Sequence, residues 1–299
     1  PLSPFPGDAG RVFGGRDAVP SDMARRAVRR RAMAWLLVPL LLYAGLVVAV
    51  YVFQRNLQYF PIGRPGDAAA ATGGQMRSVA YATADGLEIG AWYGPARDGR
   101  PTLVYFHGNA GHHGDRFYQV MSYLRAGYGV LLAGYRGYGG NPGRPTEQGL
   151  YADGRAALDW LAGQGVAAER TVLFGESLGT GIAVQMATEY RIAGMILQAP
   201  FTSAVDIGQS VYWFLPVRVL MHDRYESLAK IGAVEAPLLV IHGEADRIIP
   251  PRFGRRLFEA AAEPKALHIM PGVGHNDLAT PRLDAIALAF LARLGAAAR

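Results

Sequence analysis

The sequence predicts an α/β protein with a mostly parallel, twisted sheet and helices on both faces, preceded by one N-terminal transmembrane helix. Two observations support this prediction. From residue 76 onward, short apolar runs that end in glycine alternate with segments of helical periodicity, which is typical of parallel sheets. Ahead of them, residues 32–53 form a run of 22 residues without a charge, which is long enough for a bilayer-spanning helix.

The first 31 residues are basic and are expected to form a disordered tail. Residues 1–31 hold seven Arg and three Asp, a net +4, which accounts for most of the formal charge of +6. The rest of the chain shows no basic groove interleaved with aromatic residues, so nucleic-acid binding is not expected. The chain contains no Cys, which excludes disulfides, thiolate metal sites and a Cys nucleophile.

Residues 32–53 are predicted to be an uncleaved membrane anchor. As a helix they span roughly 33 Å, enough for a bilayer core of about 30 Å. Trp35 and Tyr51, near the two ends, fit interfacial positions. A cleaved signal peptide is the main alternative, but its apolar region is usually ~7–15 residues long and follows a shorter basic start. A buried core helix is a second alternative, disfavoured because every face of the segment is apolar.

Basic residues on the two sides of the anchor predict its orientation. Five arginines lie within residues 25–31, whereas only Arg55 and Arg64 closely follow the anchor. By the positive-inside rule, residues 1–31 are cytoplasmic and the catalytic domain, residues 76–299, is periplasmic or extracellular. Residues 54–75, which include "GRPGDAAAATGG", are predicted to be a membrane-proximal linker.

The main domain is predicted to begin with a β-hairpin and to continue with alternating strands and helices. Two alternating runs, "MRSVAYAT" and "LEIGAWYG", are joined at Asp85-Gly86 and predict an antiparallel pair. The later strands are predicted at 102–108, 129–137, 171–175, 194–200, 237–243 and 266–272. The helices are predicted near 115–126, 146–162, 178–189, 251–262 and 281–295. Reactive groups are expected at the carboxyl edge of such a sheet.

A serine between two glycines follows one of these strands. "GESLG", residues 175–179, matches G-x-S-x-G, a sharp strand-to-helix turn that exposes a serine hydroxyl above the sheet. Such a hydroxyl needs a base, and the base needs a group that orients it. Asp246 follows the next-to-last strand and His275 follows the last. We therefore predict Ser177 as nucleophile, His275 as base and Asp246 as the orienting acid.

The turn after the first buried strand, "FHGNAG" at residues 106–111, is predicted to supply part of an oxyanion hole. Acyl transfer needs N–H donors for the negative charge that develops on the substrate oxygen. We predict the backbone N–H groups of Asn109 and Leu178 as these donors. The Asn109 side chain is expected to be replaceable, and the alternative is that the turn serves the fold alone.

Other polar residues are weaker candidates. Asp206 is the alternative orienting acid, and Asp277 is interpreted as a local cap beside His275. No set of ligands with metal spacing accompanies His112 and His113, so no metal and no cofactor are predicted. Three further histidines lie at strand ends or within a strand: His107, His242 and His268.

Together these motifs resemble the α/β-hydrolase superfamily over residues 77–295. The resemblance is carried by "YFHGNAG", "GYRGYGGNPGRPTEQGLYAD", "LFGESLGTG", "HGEADRIIP" and "GVGHND". With "FQRNLQYFP" they are similar to the membrane-anchored α/β-hydrolase-domain subgroup, related to protein depalmitoylases and serine-peptidase-like hydrolases. The resemblance implies a serine hydrolase that cleaves ester or thioester bonds of acylated substrates. An aminopeptidase-like serine peptidase and a non-catalytic, membrane-tethered binding protein are the alternatives.

Residues 211–222, "VYWFLPVRVLMH", lie where this fold inserts a lid. The stretch is interpreted either as an ordinary helix packed on the sheet or as an apolar wall for an acyl chain beside the membrane. "YRGYGG", residues 135–140, is interpreted as mainly architectural, with Arg136 contacting carbonyl or carboxylate groups. The expected partners are a small-molecule or lipid-like acyl substrate, and the membrane through residues 32–53.

Overall fold

The computed structural model describes residues 22–297, so most of the predicted tail lies outside the described residues. The helices are α1 (Asp22–Gln58), α2 (Ala68–Thr72), α3 (Phe117–Arg125), α4 (Glu147–Gly163), α5 (Leu178–Glu189), α6 (Ala204–Val211), α7 (Val217–Leu220), α8 (Ser227–Lys230), α9 (Pro251–Ala260) and α10 (Pro281–Ala297). Short 3₁₀ turns cover His113–Arg116, Ala168–Arg170 and Ile231–Ala233. The strands are β1 (Phe60–Pro61), β2 (Arg77–Ala82), β3 (Glu88–Gly94), β4 (Thr102–Phe106), β5 (Ala110–Gly111), β6 (Gly129–Ala133), β7 (Thr171–Glu176), β8 (Gly194–Gln198), β9 (Leu238–Gly243) and β10 (Lys265–Met270).

The main sheet has eight strands in the order β10-β9-β8-β7-β4-β6-β3-β2. β2 and β3 form the predicted antiparallel hairpin, and β3 also pairs antiparallel with β6. The pairs from β6 across to β10 are parallel. The predicted fold class is therefore confirmed, and each strand predicted in the main domain overlaps an observed one.

Side chains are buried on both faces of this sheet, as the uninterrupted apolar runs of the strands require. All five residues of β4 are buried: Val104 and Phe106 face one core, Leu103 and Tyr105 the other. Residues of α4, α5 and α9 complete the first core, and residues of α3 and α10 complete the second. Each large apolar side chain buried in this way contributes roughly 1.5–3 kcal/mol. Helices on the two faces thus hold the strand ends in a fixed arrangement.

α1 is a 37-residue helix in which Arg25–Gln58 is long and apolar enough to cross a membrane. It extends beyond the predicted anchor, residues 32–53, on both sides. Pro39 lies inside the helix without ending it, as membrane helices tolerate. The chain forms two compact units that divide between Val50 and Tyr51, so the end of α1 belongs to the same unit as the main domain.

Residues 54–75 contain more regular structure than a linker was expected to have. β1 pairs in parallel with β5, and Tyr59 and Ala68 are buried. α2 begins after Asp67, whose side chain accepts a hydrogen bond from the N–H of Ala70 at 2.8 Å. The Asp67 cap and a few buried contacts specify α2 and β1. Because the segment is rich in Gly, Pro and Ala, its sequence shows no periodicity that would predict these elements.

The apolar stretch 211–222 is not a single helix packed on the sheet. α6 ends at Val211, α7 begins at Val217, and an aromatic turn lies between them. Leu215 is buried, whereas Trp213 and Val219 are 77% and 83% exposed. Several of its large apolar side chains therefore lie on the surface of the domain.

Candidate active site

Ser177 occupies a strained turn between β7 and α5. Its φ of +50° and ψ of −113° fall where residues other than glycine are rarely found. A Cβ at Gly175 would lie 2.6 Å from the Cα of Thr180, and one at Gly179 would overlap the carbonyl oxygen of Phe106. The two glycines therefore let α5 begin directly against the strands, which leaves Ser177 partly exposed at the sheet edge.

The structure brings Ser177, His275 and Asp246 together. Nε2 of His275 lies 3.1 Å from Oγ of Ser177, and its Nδ1 lies 2.6 Å from Oδ2 of Asp246. Asp246 follows β9 and His275 follows β10, two neighbouring strands that end at the same edge of the sheet. Because a carboxylate only accepts, Nδ1 carries the proton and Nε2 is left to accept one from the serine hydroxyl.

Asp246 is held as a carboxylate from several directions. Its Oδ1 accepts hydrogen bonds from the N–H groups of Ile248 at 2.9 Å and Ile249 at 2.8 Å. Burial alone would raise the pKa of Asp246, but hydrogen bonds from His242 and His275 outweigh it and hold the pKa well below its usual range. The charge that would stabilise an imidazolium at His275 is therefore present throughout the neutral range.

His242 is a part of this site that the sequence motifs did not single out. Its Nε2 lies 3.4 Å from Oδ2 of Asp246 and donates a hydrogen bond to the carbonyl oxygen of Ile249 at 2.7 Å. His242 lies on β9, within the run "VIHGEAD". The only indication in the sequence was its place four residues before the predicted acid.

The two predicted oxyanion donors belong to segments that pack together beside Ser177. Leu178 is the first residue of α5, and the first N–H groups of a helix have no acceptor within the helix. Asn109 lies in the turn after β4, the strand that pairs with β7. Since Gly179 has no Cβ, the start of α5 approaches the carbonyl group of Phe106 at the end of β4. Both peptide groups are thus brought to the same edge of the sheet.

The Asn109 side chain makes three hydrogen bonds that the sequence did not predict. Its Oδ1 accepts hydrogen bonds from the hydroxyl of Tyr138 at 2.9 Å and from the N–H of Phe60 at 3.3 Å. Its Nδ2 donates to the carbonyl oxygen of Gln58 at 2.6 Å. These partners are 29 to 51 residues away along the chain, so no local pattern could have revealed them.

Glu176, the residue before Ser177, forms an ion pair that was also not predicted. Its carboxylate accepts hydrogen bonds from Nε and Nη2 of Arg116 at 2.8 and 3.2 Å. Burial alone would lower the pKa of Arg116, but the charge of Glu176 raises it above its usual value. A Cβ at Gly108 would lie 2.9 Å from Oε1 of Glu176. The ion pair therefore lies against the turn that carries Asn109.

The acids considered as alternatives have other partners. Asp206 accepts hydrogen bonds from the hydroxyl of Thr202 at 2.7 Å and from Arg218 at 3.0 Å, at the start of α6. The carboxylate of Asp277 lies over the backbone of Gly274, within its own turn. The acid that contacts His275 is Asp246.

The other histidines of the site region are packed in the interior. His107 stacks on Tyr135 with ring centroids 4.1 Å apart, and burial holds its pKa well below the usual value. His113 lies edge-on to Trp92, and burial lowers its pKa to about 3. Within residues 22–297, no group of three or more His, Asp or Glu side chains is placed to hold a metal ion.

Arg136 makes the carboxylate contacts predicted for it. Its Nε donates to Asp153 at 2.9 Å and its Nη1 to Asp85 at 2.6 Å. Asp153 lies on α4 and is fully buried, whereas Asp85 lies in the hairpin between β2 and β3. Arg136 thus joins the hairpin to α4, which is an architectural role.

A serine hydroxyl, an imidazole and a carboxylate in one hydrogen-bonded chain suit nucleophilic attack on a carbonyl carbon.

Two family models match the part of the chain that contains these three residues. One described as alpha/beta hydrolase fold matches residues 101–217, and one described as serine aminopeptidase, S33, matches residues 220–280. The first range contains Ser177, and the second contains Asp246 and His275.

Relatives of known sequence cover most of the chain. An uncharacterised protein of Mycobacterium tuberculosis is 43% identical over 252 residues, which are 83% of this chain and 90% of that protein. The lysophosphatidylserine lipase ABHD12 of Danio rerio is 27% identical, over 83% of this chain and 78% of its own length. An esterase of Pyrococcus furiosus shares the fold, with a TM-score of 0.63 at 17% identity over 79% of this chain and 97% of that one. The family models, the relatives and the order of the strands all indicate the same fold family. The chain belongs to the α/β-hydrolase superfamily.

Proposed function

We propose that the protein is a membrane-anchored serine hydrolase that cleaves ester or thioester bonds of acylated substrates. Ser177 is the nucleophile, His275 the general base and then acid, and Asp246 the residue that orients the imidazole. The observation that carries this proposal is the hydrogen-bonded chain from Oγ of Ser177 through His275 to Asp246, at 3.1 and 2.6 Å.

The reaction follows from this geometry in two halves. Nε2 of His275 takes the hydroxyl proton of Ser177 while Oγ attacks the substrate carbonyl carbon, and the carbonyl oxygen becomes an oxyanion. The N–H groups of Asn109 and Leu178 stabilise that oxyanion. His275 then gives its proton to the leaving alcohol or thiol, which leaves an acyl group on Ser177. Water, deprotonated by His275, attacks the acyl-enzyme and releases the carboxylic acid.

The membrane anchoring is proposed from α1. Residues 32–53 serve as the anchor, residues 1–31 as a cytoplasmic tail, and residues 76–299 as a catalytic domain on the periplasmic or extracellular side. The apolarity of Arg25–Gln58 supports the anchor, and the excess of arginine before it supports the orientation. Residues 54–75 connect the anchor to the catalytic domain.

A lipid-like substrate is supported by the surface beside the end of α1. Gln54 donates a hydrogen bond to the carbonyl oxygen of Leu220 at 3.1 Å and accepts one from the N–H of His222 at 2.8 Å. The exposed side chains of Trp213 and Val219 belong to the segment just before these residues. Exposed aromatic and apolar groups are favoured at a membrane–water interface. The name of the Danio rerio relative, a lysophosphatidylserine lipase, agrees with a substrate that carries an acyl chain.

Peptide hydrolysis is the second candidate, because the family model that matches residues 220–280 is described as a serine aminopeptidase. Both reactions use the same acyl-enzyme and differ in the leaving group. Parallel assays with acyl esters, acyl thioesters and aminoacyl amides distinguish them. Turnover of aminoacyl amides that exceeds that of the acyl esters would replace the ester hypothesis.

A fluorophosphonate probe tests the proposal, because it labels only a serine that is activated as a nucleophile. The full-length protein in detergent micelles is expected to label, and Ser177→Ala is expected not to label. Ser210→Ala, which removes an exposed hydroxyl on α6, is the matched control and is expected to label like the wild type. No labelling of either protein would favour a non-catalytic binding protein, and equal labelling of wild type and Ser177→Ala would assign the activated serine to another position.

A further inference from the structure

The last residue of α1 and the three residues after it are attached to the turn that carries a proposed oxyanion donor. We call residues 58–61 the strap. The Asn109 side chain bonds to the strap twice, through Nδ2 to the carbonyl oxygen of Gln58 at 2.6 Å and through Oδ1 to the N–H of Phe60 at 3.3 Å. The strap then continues as β1, in which Phe60 pairs with Ala110 and Pro61 with Gly111. Backbone and side chain together join the strap to residues 109–111.

The strap is itself fixed on the catalytic domain. Tyr59 is buried, and its hydroxyl lies 2.9 Å from that of Tyr225, which is also buried. One residue earlier, the side chain of Gln58 donates to the carbonyl oxygen of Asp223 at 3.0 Å. Arg55 forms an ion pair with the Asp223 carboxylate at 2.9 Å. The strap therefore connects residues 223–225 to the oxyanion turn, residues 107–111, and fixes the turn relative to them.

The oxyanion turn needs such support because its own sequence specifies little. "HGNAG", residues 107–111, contains two glycines, and Gly111 has a φ of +80°, so its backbone has many alternative conformations. The pairing of β1 with β5 involves two residues on each strand, and such a short ladder is marginal by itself. The side chain of Asn109, held also by Tyr138 at 2.9 Å, supplies the missing constraint.

We propose that Asn109 is a positioning residue and that the strap supports the oxyanion hole. The hydrogen bonds of the Asn109 side chain orient the Asn109 peptide group so that its N–H points at the oxyanion. The inference rests on the proposed function, since it concerns the charge that forms during acyl transfer. Oxyanion donors act only when they lie about 2.7–3.1 Å from the developing charge, and loss of one donor costs about 10²–10³ in kcat. Loss of the Asn109 side-chain hydrogen bonds would displace the N–H donor without removing it. The expected decrease in kcat is therefore smaller than for loss of a donor.

The test compares two asparagines in the full-length protein in detergent micelles. Asn109→Ala removes three side-chain hydrogen bonds at the oxyanion turn. Asn141→Ala is the matched control, since Asn141 also makes three side-chain hydrogen bonds, to Gly90 and Tyr135, at 2.8, 3.2 and 3.2 Å. Tyr59→Phe is the second variant, because it removes the bond to Tyr225 with little change of volume.

Asn109→Ala is expected to lower kcat roughly 10–100-fold on an acyl ester while KM changes less than about twofold, because the interaction strengthens in the transition state. The Ki of a trifluoromethyl ketone, which forms an oxyanion on the nucleophilic serine, should rise by the same factor as kcat/KM falls. Tyr59→Phe is expected to act in the same direction with a smaller effect. Asn141→Ala should lower the melting temperature and leave the Ki within about twofold.

Three results would overturn the inference. If wild type labels with the fluorophosphonate probe while Asn109→Ala retains kcat and Ki within about twofold, the proposed function stands and the positioning role is wrong. The same holds if Asn141→Ala raises the Ki as much as Asn109→Ala does, since a general loss of stability would then explain both. If the wild type itself fails to label, the proposed function fails and the inference fails with it.

Discussion

Nε2 of His242 lies 3.4 Å from the Asp246 carboxylate oxygen that Nδ1 of His275 contacts at 2.6 Å. Two imidazoles thus approach one oxygen, one from the side of Ser177 and one from the interior. His242 is fully buried, and a Cβ at Gly254 would overlap its ring. α9 therefore packs directly on His242 and fixes it behind the acid.

His242→Ala is expected to lower both activity and stability. The Ile249 carbonyl group would lose its hydrogen bond, and a buried polar group left unsatisfied costs about 1–3 kcal/mol. Loss of one hydrogen bond to the acid, worth roughly 1.4 kcal/mol, corresponds to about a tenfold lower kcat. Urea unfolding and ester kinetics measure the two effects. His268→Ala on β10, an exposed histidine, is the control and should change stability by less than about 0.5 kcal/mol. Equal effects of the two variants would contradict the role of His242.

Asp246→Asn is expected to lower kcat by about 10⁴-fold, because the amide would no longer hold the His275 imidazole in the correct tautomer. Asp206→Asn should lower kcat less than about tenfold, since Asp206 bonds to Thr202 and Arg218. Steady-state hydrolysis of a soluble ester compares them. The reverse ranking would assign the orienting acid to Asp206.

Gly179→Ala is expected to destabilise the fold by about 1–3 kcal/mol or to prevent folding, because the new Cβ would overlap the carbonyl oxygen of Phe106. Gly163→Ala provides a matched control at the end of α4, where a Cβ would meet nothing within 4 Å. That substitution should be neutral or stabilising by up to about 1 kcal/mol. Thermal unfolding of both variants and of the wild type measures these changes in stability. A Gly179→Ala protein as stable as wild type would show that the turn can relax.

The features predicted from sequence are those that local patterns specify. Buried strands such as β4 and β7 appear as apolar runs, and the turn at Ser177 requires glycine at fixed offsets. The order of Ser177, Asp246 and His275 along the chain sufficed to nominate the three residues that the structure brings together. The strands and the turns are each specified by a pattern contained within about ten residues, and the order of three turns then links residues up to 98 positions apart.

Several contacts that the sequence did not predict join distant parts of the chain. Arg55 and Asp223 are 168 residues apart, and no periodicity relates them. The Asn109 side chain was expected to be replaceable because an oxyanion turn acts through its backbone. Its bond to Gln58 becomes visible only when the end of α1 is placed on the domain. Residues 54–75 appeared to be a linker for the same reason.

Longer acyl chains are expected to be hydrolysed faster than acetyl esters. Each CH₂ buried on binding contributes up to about 0.8 kcal/mol, or roughly fourfold in kcat/KM. A series of p-nitrophenyl esters of increasing chain length measures this preference. Trp213→Ala should reduce turnover of long-chain esters in micelles and spare the soluble acetyl ester, because Trp213 is 77% exposed and would contact lipid. A kcat/KM that is highest for acetyl and falls steadily with length would contradict the preference for acyl chains.

The catalytic domain is expected on the periplasmic or extracellular side. A reporter enzyme that is active only in an oxidising compartment should be active when fused after Arg299. The same reporter inserted after Arg31, ahead of the proposed anchor in the otherwise complete chain, should be inactive. Activity of the second fusion and inactivity of the first would reverse the orientation inferred from the arginines.

The packing of residues 51–61 against the main domain also determines where the chain can be shortened without loss of the fold. A cut at Met76, just before the first hairpin strand, looks natural because it removes the predicted tail, anchor and linker, residues 1–75. It would also remove Tyr59, whose ring fills a buried position, and expose the hydroxyl of Tyr225 that it covers. A cut just before Tyr51 keeps these groups together with the main domain. We therefore expect a shortened protein that keeps its fold to begin at Tyr51, near the end of the long helix and about 25 residues upstream of where the sequence pattern alone would place the start.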